Sequence, residues 1–211
     1  MNTNPENKKL VMFDFDGVLV NTAEFWFTLH KTSNGEITWE QFEEMSHGNF
    51  IETQRERLKD NSYAYPEDYE KKYIDALHTV FSVNDVLHDT ILKLSTKYNV
   101  CIVSSASSVI ISNFLEKEDL LPCFTEVLGY DFHTFKTVKI NYLLDKYKID
   151  PEHSIFITDT LGDIKEANEC NVKSIGVTWG LHKIDTLVRG NPAKILDNPV
   201  ELFSTIEELL K

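Results

Sequence analysis

Short apolar runs, separated by stretches with helical periodicity, recur along this chain and restrict its fold more than any other feature. Residues 9–13 read KLVMF and stop at Asp14. Asn99–Val103 (NVCIV), Glu126–Leu128, residues 154–157 (SIFI) and Lys173–Val177 (KSIGV) follow, with a sixth candidate at 193–196. Continuous apolar runs of this length suit strands covered on both faces. Val109, Ile110, Phe114 and Leu115 share one helical face, as do Ile140, Leu143, Leu144 and Tyr147. A helix between successive strands gives βα alternation, so the predicted fold class is α/β, a doubly wound parallel sheet. Asp150-Pro151-Glu152 and Asn198-Pro199-Val200-Glu201 read as helix or turn starts, and a last helix is expected over 199–210.

Residues 21–90 break the alternation. They hold no strand-like run but helical stretches around 22–30, 39–45, 51–58, 66–81 and 86–98. An insert of this length exceeds an ordinary crossover. The predicted division is an α/β core of residues 1–20 and 91–211 and a helical cap of residues 21–90. Such a cap suits a mobile lid, the other reading being helices packed permanently on the sheet. A length of 211 residues fits one domain with such an insertion.

Charge narrows the partners. The chain carries 34 acidic against 21 basic residues, a net charge of -13, and residues 21–90 hold 14 acidic against 6 basic. No nucleic acid is expected as a partner, because a phosphate backbone demands the opposite sign. Cys101, Cys123 and Cys170 show no paired spacing, which fits free thiols in a reducing compartment. The polar start MNTNPENKKL and the shortness of every apolar run predict neither a signal peptide nor a membrane span, hence a cytoplasmic protein.

Phe13-Asp14-Phe15-Asp16-Gly17 carries the most chemistry. Carboxylates two residues apart at the end of a strand can face one side of the chain. They repel, so either a cation lies between them or one holds a proton, and both states serve catalysis. A calcium-binding EF-hand is excluded, since Leu19 stands where its glycine is required. Asp159 and Asp163, in the ITDTLGD of residues 157–163, again follow an apolar run. Ligands of parallel sheets gather beyond the carboxyl ends of the strands, so the two acidic pairs are expected to face one pocket. Asp14 and Asp159 would supply the hard oxygens that Mg²⁺ prefers, whereas Asp159 alone would read as a helix cap. Ser104-Ser105 ends NVCIV and opens the next helix, a place for an anion or for a simple cap. Lys136 opens the helix before the Asp159 strand and, taken singly, is a surface charge.

In this order, Asp-x-Asp, helical insert, strand-Ser, Lys, strand-Asp-x3-Asp, the chain resembles the haloacid dehalogenase superfamily of phosphohydrolases over essentially its whole length. FDFDGVLVNT is similar to the first motif of that family, Ser104 or Ser105 to its second, Lys136 to its third and TDTLGD to its fourth. GVTWG at 176–180 resembles a stretch of the phosphoglycolate phosphatase and β-phosphoglucomutase branch, whose cap the insert also matches. The resemblance implies a Mg²⁺-dependent phosphatase acting on a small phosphorylated metabolite, as a monomer or homodimer. Asp14 would be the nucleophile that forms an aspartyl phosphate, and Asp16 the acid and base. Metal would be held by Asp14, Asp159 and the carbonyl of Asp16; phosphate by Ser104, Ser105 and Lys136; Asp163 would orient the metal shell or Lys136.

The chain departs from the family pattern at three places. Thr158 stands where Gly is common, Thr137 replaces the proline that often follows the lysine, leaving Lys139 as a minority candidate, and Asn21-Thr22 replaces Asp-Ser. A sugar phosphomutase with the same phosphoenzyme is the alternative activity, and a phospho-accepting receiver domain the alternative from another class. His47-Gly48-Asn49 reads as a helix-to-helix turn, on the surface or else facing the site, and Phe25, Trp26 and Phe27 as the interior of the cap rather than a substrate platform.

Overall fold

The computed structural model describes residues 9–34, 37–59 and 68–211. All six apolar runs become strands: β1 (Leu10–Phe13), β2 (Asn99–Val103), β3 (Glu126–Leu128), β4 (Ser154–Thr158), β5 (Lys173–Val177) and β6 (Lys194–Leu196). They form one parallel sheet in the order β3-β2-β1-β4-β5-β6. The order reverses at the β1–β4 pair, where Phe13 lies opposite Ile157. In open α/β sheets the crevice at such a reversal is the place for a ligand.

Successive side chains of a strand point to opposite faces. Val11, Phe13, Ile102, Ile155 and Ile157 therefore enter one core, and Leu10, Met12, Cys101, Val103 and Phe156 another. The first core is covered by α5 (Asp85–Ser95), α6 (Ser108–Lys117) and α10 (Leu202–Leu209), through Ile91, Phe114 and Ile206 among others. The second is covered by α7 (Lys136–Tyr147) and α8 (Leu161–Glu169), through Ile140, Leu143 and Ala167. A short α9 (Ile184–Leu187) precedes β6. Asn198 caps a single 3₁₀ turn, Pro199–Glu201, so α10 starts later than the sequence predicts. Among the described residues, no helix is long and apolar enough to cross a membrane.

Between β1 and α5 lie α1 (Ala23–Asn34), α2 (Trp39–Glu44), α3 (Phe50–Lys59) and α4 (Tyr69–Thr79). Residues 66 and 67, the first of the helix predicted over 66–81, lie outside the described residues, as does the chain start at 1–8. A division at residue 90 cuts through α5, whose Leu87, Ile91 and Leu94 pack in the same core as Val11 and Val100. Tyr73 and Leu77 of α4 enter that core as well, whereas Ala23, Phe42 and Met45 form a separate cluster with Leu181.

Of the two readings of 47–49, surface turn or turn facing the site, the contacts favour the second: the turn is seated on α8, and Ser46 and Gly48 line the central cavity. Gly162 N donates to Ser46 O at 2.9 Å, Lys165 Nζ to His47 O at 2.8 Å, and Asn49 Nδ2 to Glu166 Oε1 at 2.7 Å. The first N–H groups of a helix have no partner within it, so the start of α8 offers donors to the turn's carbonyls. The approach is close because residue 162 has no side chain: a Cβ there would lie 2.1 Å from Gly48 O. Gly162→Ala is predicted to push the turn off α8 and destabilise the protein by about 1–3 kcal/mol. A thermal melt checks this, and an unchanged midpoint would show that the turn is not seated on α8.

Candidate active site

The buried end of β1 delivers Asp14 to the sheet's carboxyl edge, where Asp14 N donates to Ile157 O of β4 at 2.9 Å. Its carboxylate accepts from Phe15 N at 2.7 Å and from Lys136 Nζ at 2.6 Å. Lys136, the first residue of α7 and only 2% exposed, also reaches Asp163 Oδ2 at 2.6 Å. Thr158 Oγ1 donates to that same oxygen at 2.6 Å. One ammonium thus spans the acid ending β1 and the acid opening α8. Burial by itself would lower the Lys136 value, but Asp14 and Asp163 outweigh it and hold the ammonium charged. Asp14 is pushed well up by burial and by the neighbouring Asp163 and Asp159, against the pull of Lys136.

Asp159 follows β4 and lies against the turn after β1. Gly17 has φ +75, a conformation in which side chains are strained, and a Cβ on it would lie 1.8 Å from Asp159 Oδ2. On the other side, Gly180 leaves the space that a Cβ would take 2.3 Å from that oxygen. Leu181 N donates to Asp159 Oδ2 at 2.7 Å, while Oδ1 is buried without a hydrogen-bond partner. Burial raises this carboxyl to about 7. A buried carboxylate oxygen lacking a donor is costly in protein alone and is the group a hard cation takes. Asp159 and Asp14, close enough for the charge of one to act on the other, are hard oxygen donors of the kind that suits Mg²⁺.

The Asp16 side chain lines the same cavity as Asp14 and Asp159 and takes its hydrogen bonds from the insert. Its carboxylate accepts from Thr22 Oγ1 at 2.6 Å, Trp26 Nε1 at 3.2 Å and Tyr73 OH at 2.9 Å. Removal from water raises Asp16 despite these three donors. Trp26 is therefore more than interior filling: it packs against Tyr73, with ring centroids 4.8 Å apart, and binds the acid directly.

A cavity of about 360 Å³ joins these groups. Asp14, Asp16, Ser104, Ser105, Lys136, Asp159 and Asp163 all line it, so these predicted residues reach one space, whereas Lys139, the minority candidate beside Lys136, is not in its lining. Ser104 is buried, its N–H donating to Leu128 O at 2.9 Å and its Oγ accepting from Ala106 N at 3.1 Å. The insert contributes Trp26, Phe42, Phe50, Tyr73 and Arg55 to the opposite wall.

Sequence reasoning passed over His182. The imidazole is fully buried, its Nδ1 accepting from Leu161 N at 2.9 Å, so the proton sits on Nε2 and is donated to Glu43 O at 2.9 Å. It thus ties the insert to the start of α8. Its partners lie 21 and 139 residues away, and no local pattern announces them.

The family model for haloacid dehalogenase-like hydrolases matches residues 11–177, and the chain belongs to this family. A phosphoglycolate phosphatase of Aliivibrio fischeri is 23% identical over 214 residues, covering 91% of this chain and 93% of that protein. A pyrophosphatase of Oceanobacillus iheyensis is 22% identical, covering 94% and 96%. A haloacid dehalogenase-like hydrolase of known structure from Streptococcus pneumoniae superposes with a TM-score of 0.74 at 20% identity, covering 94% of this chain and 98% of that one.

Burial, the largest cause, lowers His182 to about 4. Below about 6.5 the unfolded chain takes up a proton that the folded chain refuses, so this histidine's contribution to stability is lost as pH falls from about 6.5 toward 4. The raised carboxyls of Asp14, Asp16 and Asp159 slope the other way, so a variant comparison isolates the histidine. In urea unfolding, His182→Gln is predicted to lose less stability than the parent between pH 7.5 and pH 5. An equal loss in both proteins would show that the imidazole does not govern the slope.

Proposed function

We propose that the protein is a Mg²⁺-dependent phosphatase that hydrolyses a small phosphomonoester through an aspartyl phosphate on Asp14. The observation that carries this reading is the pairing of Asp14 with the buried Lys136 ammonium beside the donorless oxygen of Asp159. A carboxylate flanked by one fixed cation and a second cation site suits an acid that must meet a phosphate dianion. Bound Mg²⁺ would supply the charge that offsets repulsion between that carboxylate and the phosphate.

The chemistry of this chain's residues follows in order. Asp14 attacks phosphorus, forming an O–P bond as the bond to the leaving oxygen breaks. Asp16, whose burial favours the protonated form, gives its proton to that oxygen. The same carboxylate then accepts a proton from the water that attacks phosphorus, releasing phosphate and restoring Asp14. Lys136, with the Ser104 hydroxyl and the amide of Ser105, meets the phosphoryl oxygens. Asp163 and Thr158 hold Lys136 in place. Thr22, Trp26 and Tyr73 fix where Asp16 rests, so the insert sets the position of the acid as well as covering the cavity. The insert, α1 to α4, is accordingly read as the cap.

Phosphoglycolate is the first substrate to test, because phosphoglycolate phosphatases are among the relatives. The three cysteines are free thiols, which supports a reducing, cytoplasmic setting.

Two outcomes are predicted. With a panel of phosphoglycolate, pyrophosphate and hexose phosphates, purified protein releases inorganic phosphate with Mg²⁺ and stops in chelator. Turnover that persists in chelator contradicts the metal assignment, and isomerised sugar phosphate without free phosphate converts the reading to a mutase. Asp14→Asn is predicted to lower kcat by about 10⁴-fold or more with an unchanged circular dichroism spectrum, whereas a near-normal rate would remove Asp14 as nucleophile.

A further inference from the structure

Lys139 is a second buried lysine on α7, one turn after Lys136, and the chemistry above leaves it unused. It is fully buried. Its Nζ donates to Ser104 O at 2.6 Å and to Gly129 O at 3.4 Å, the carbonyls of the residues that directly follow β2 and β3. The two loops it joins are interlocked elsewhere: Tyr130 N donates to Ala106 O at 3.0 Å, and Asp131 Oδ1 accepts from Ser108 N at 2.7 Å.

The consequence follows from peptide geometry. In a trans peptide the C=O of one residue and the N–H of the next point in opposite directions. The Ser104 carbonyl is drawn to the Lys139 ammonium on the buried side, so the Ser105 N–H points the other way. Ser104 and Ser105 line the cavity that also holds Asp14 and Lys136. We propose that Lys139 is a positioning residue that clamps the Ser104 carbonyl and thereby aims the Ser105 amide at the substrate's phosphoryl group. This inference rests on the phosphatase reading and adds to it a residue that does not touch substrate.

The charge on Lys139 is itself conditional. Burial, then repulsion from Lys136, lowers it to about 8, while Asp14, Asp163 and Glu166 act to raise it. Asp131, in the loop after β3, also feels its charge. Raising the pH through about 8 therefore takes a positive charge from beneath the phosphate-binding loop, although the neutral amine still donates a hydrogen bond.

The test is orthophosphate binding, measured by calorimetry with saturating Mg²⁺ on the parent, Lys139→Gln and Lys139→Met. Gln retains an N–H donor without charge; Met retains length without a donor. At pH 7.5 the Met variant is predicted to bind orthophosphate about 10-fold more weakly, the loss of one charge-assisted hydrogen bond, and Gln to fall between Met and the parent. From pH 8 to 9.5 the parent's affinity falls, whereas that of Lys139→Gln stays level. If Met does not fold, the Gln comparison alone decides. Parent and Gln affinities that match at every pH would overturn the clamp. Failure of the parent itself to bind orthophosphate would instead overturn the phosphatase reading.

Discussion

A single ammonium, that of Lys136, lies 2.6 Å from each of two buried carboxylates that the chain supplies 149 residues apart, Asp14 and Asp163. Taking three charges out of water is expensive, and a buried ion pair is rarely the most stable way to fill a protein interior. The arrangement persists here because the sheet delivers all three groups to one edge, where β1 and β4 are paired and end side by side. Two carboxylates around one cation leave an excess of negative charge. The donorless oxygen of Asp159 adds to that excess, and this is the charge balance on which the proposed divalent-ion and phosphate site rests.

The sheet and the acidic residues were legible because their signals are local. An apolar run that stops at an acid is visible within a few residues, and the sheet's order turns two such stops into neighbours. Ser104 and Lys136 were legible only as members of a series. The glycines of GVTWG stood out by resemblance, and the structure supplies a physical reason for one of them: Gly180 leaves room for the Asp159 carboxylate.

The remaining features depend on pairs far apart in the chain. Tyr73 meets Asp16 across 57 residues and Asn49 meets Glu166 across 117, so neither contact has a sequence pattern of its own. Trp26 read as interior because an aromatic cluster looks the same whether or not its indole N–H has a buried acceptor. Asp14 and Asp16 line one cavity, but the donors that hold Asp16 come from the insert, which strand periodicity cannot register. Packing of the insert is equally hidden from local pattern: α4 and α5 both send side chains into the core that holds Val11, which helical periodicity alone does not announce.

The most direct test is to catch the phosphoryl group on the protein. Acid quench of the enzyme during turnover of phosphoglycolate, or of whichever phosphate ester in the panel it cleaves, followed by mass spectrometry of proteolytic peptides, should find one phosphoryl group on the peptide carrying Asp14. The same treatment should find none in Asp14→Asn. Phosphate released at full rate with no such adduct, or with the adduct on another residue, would contradict the account.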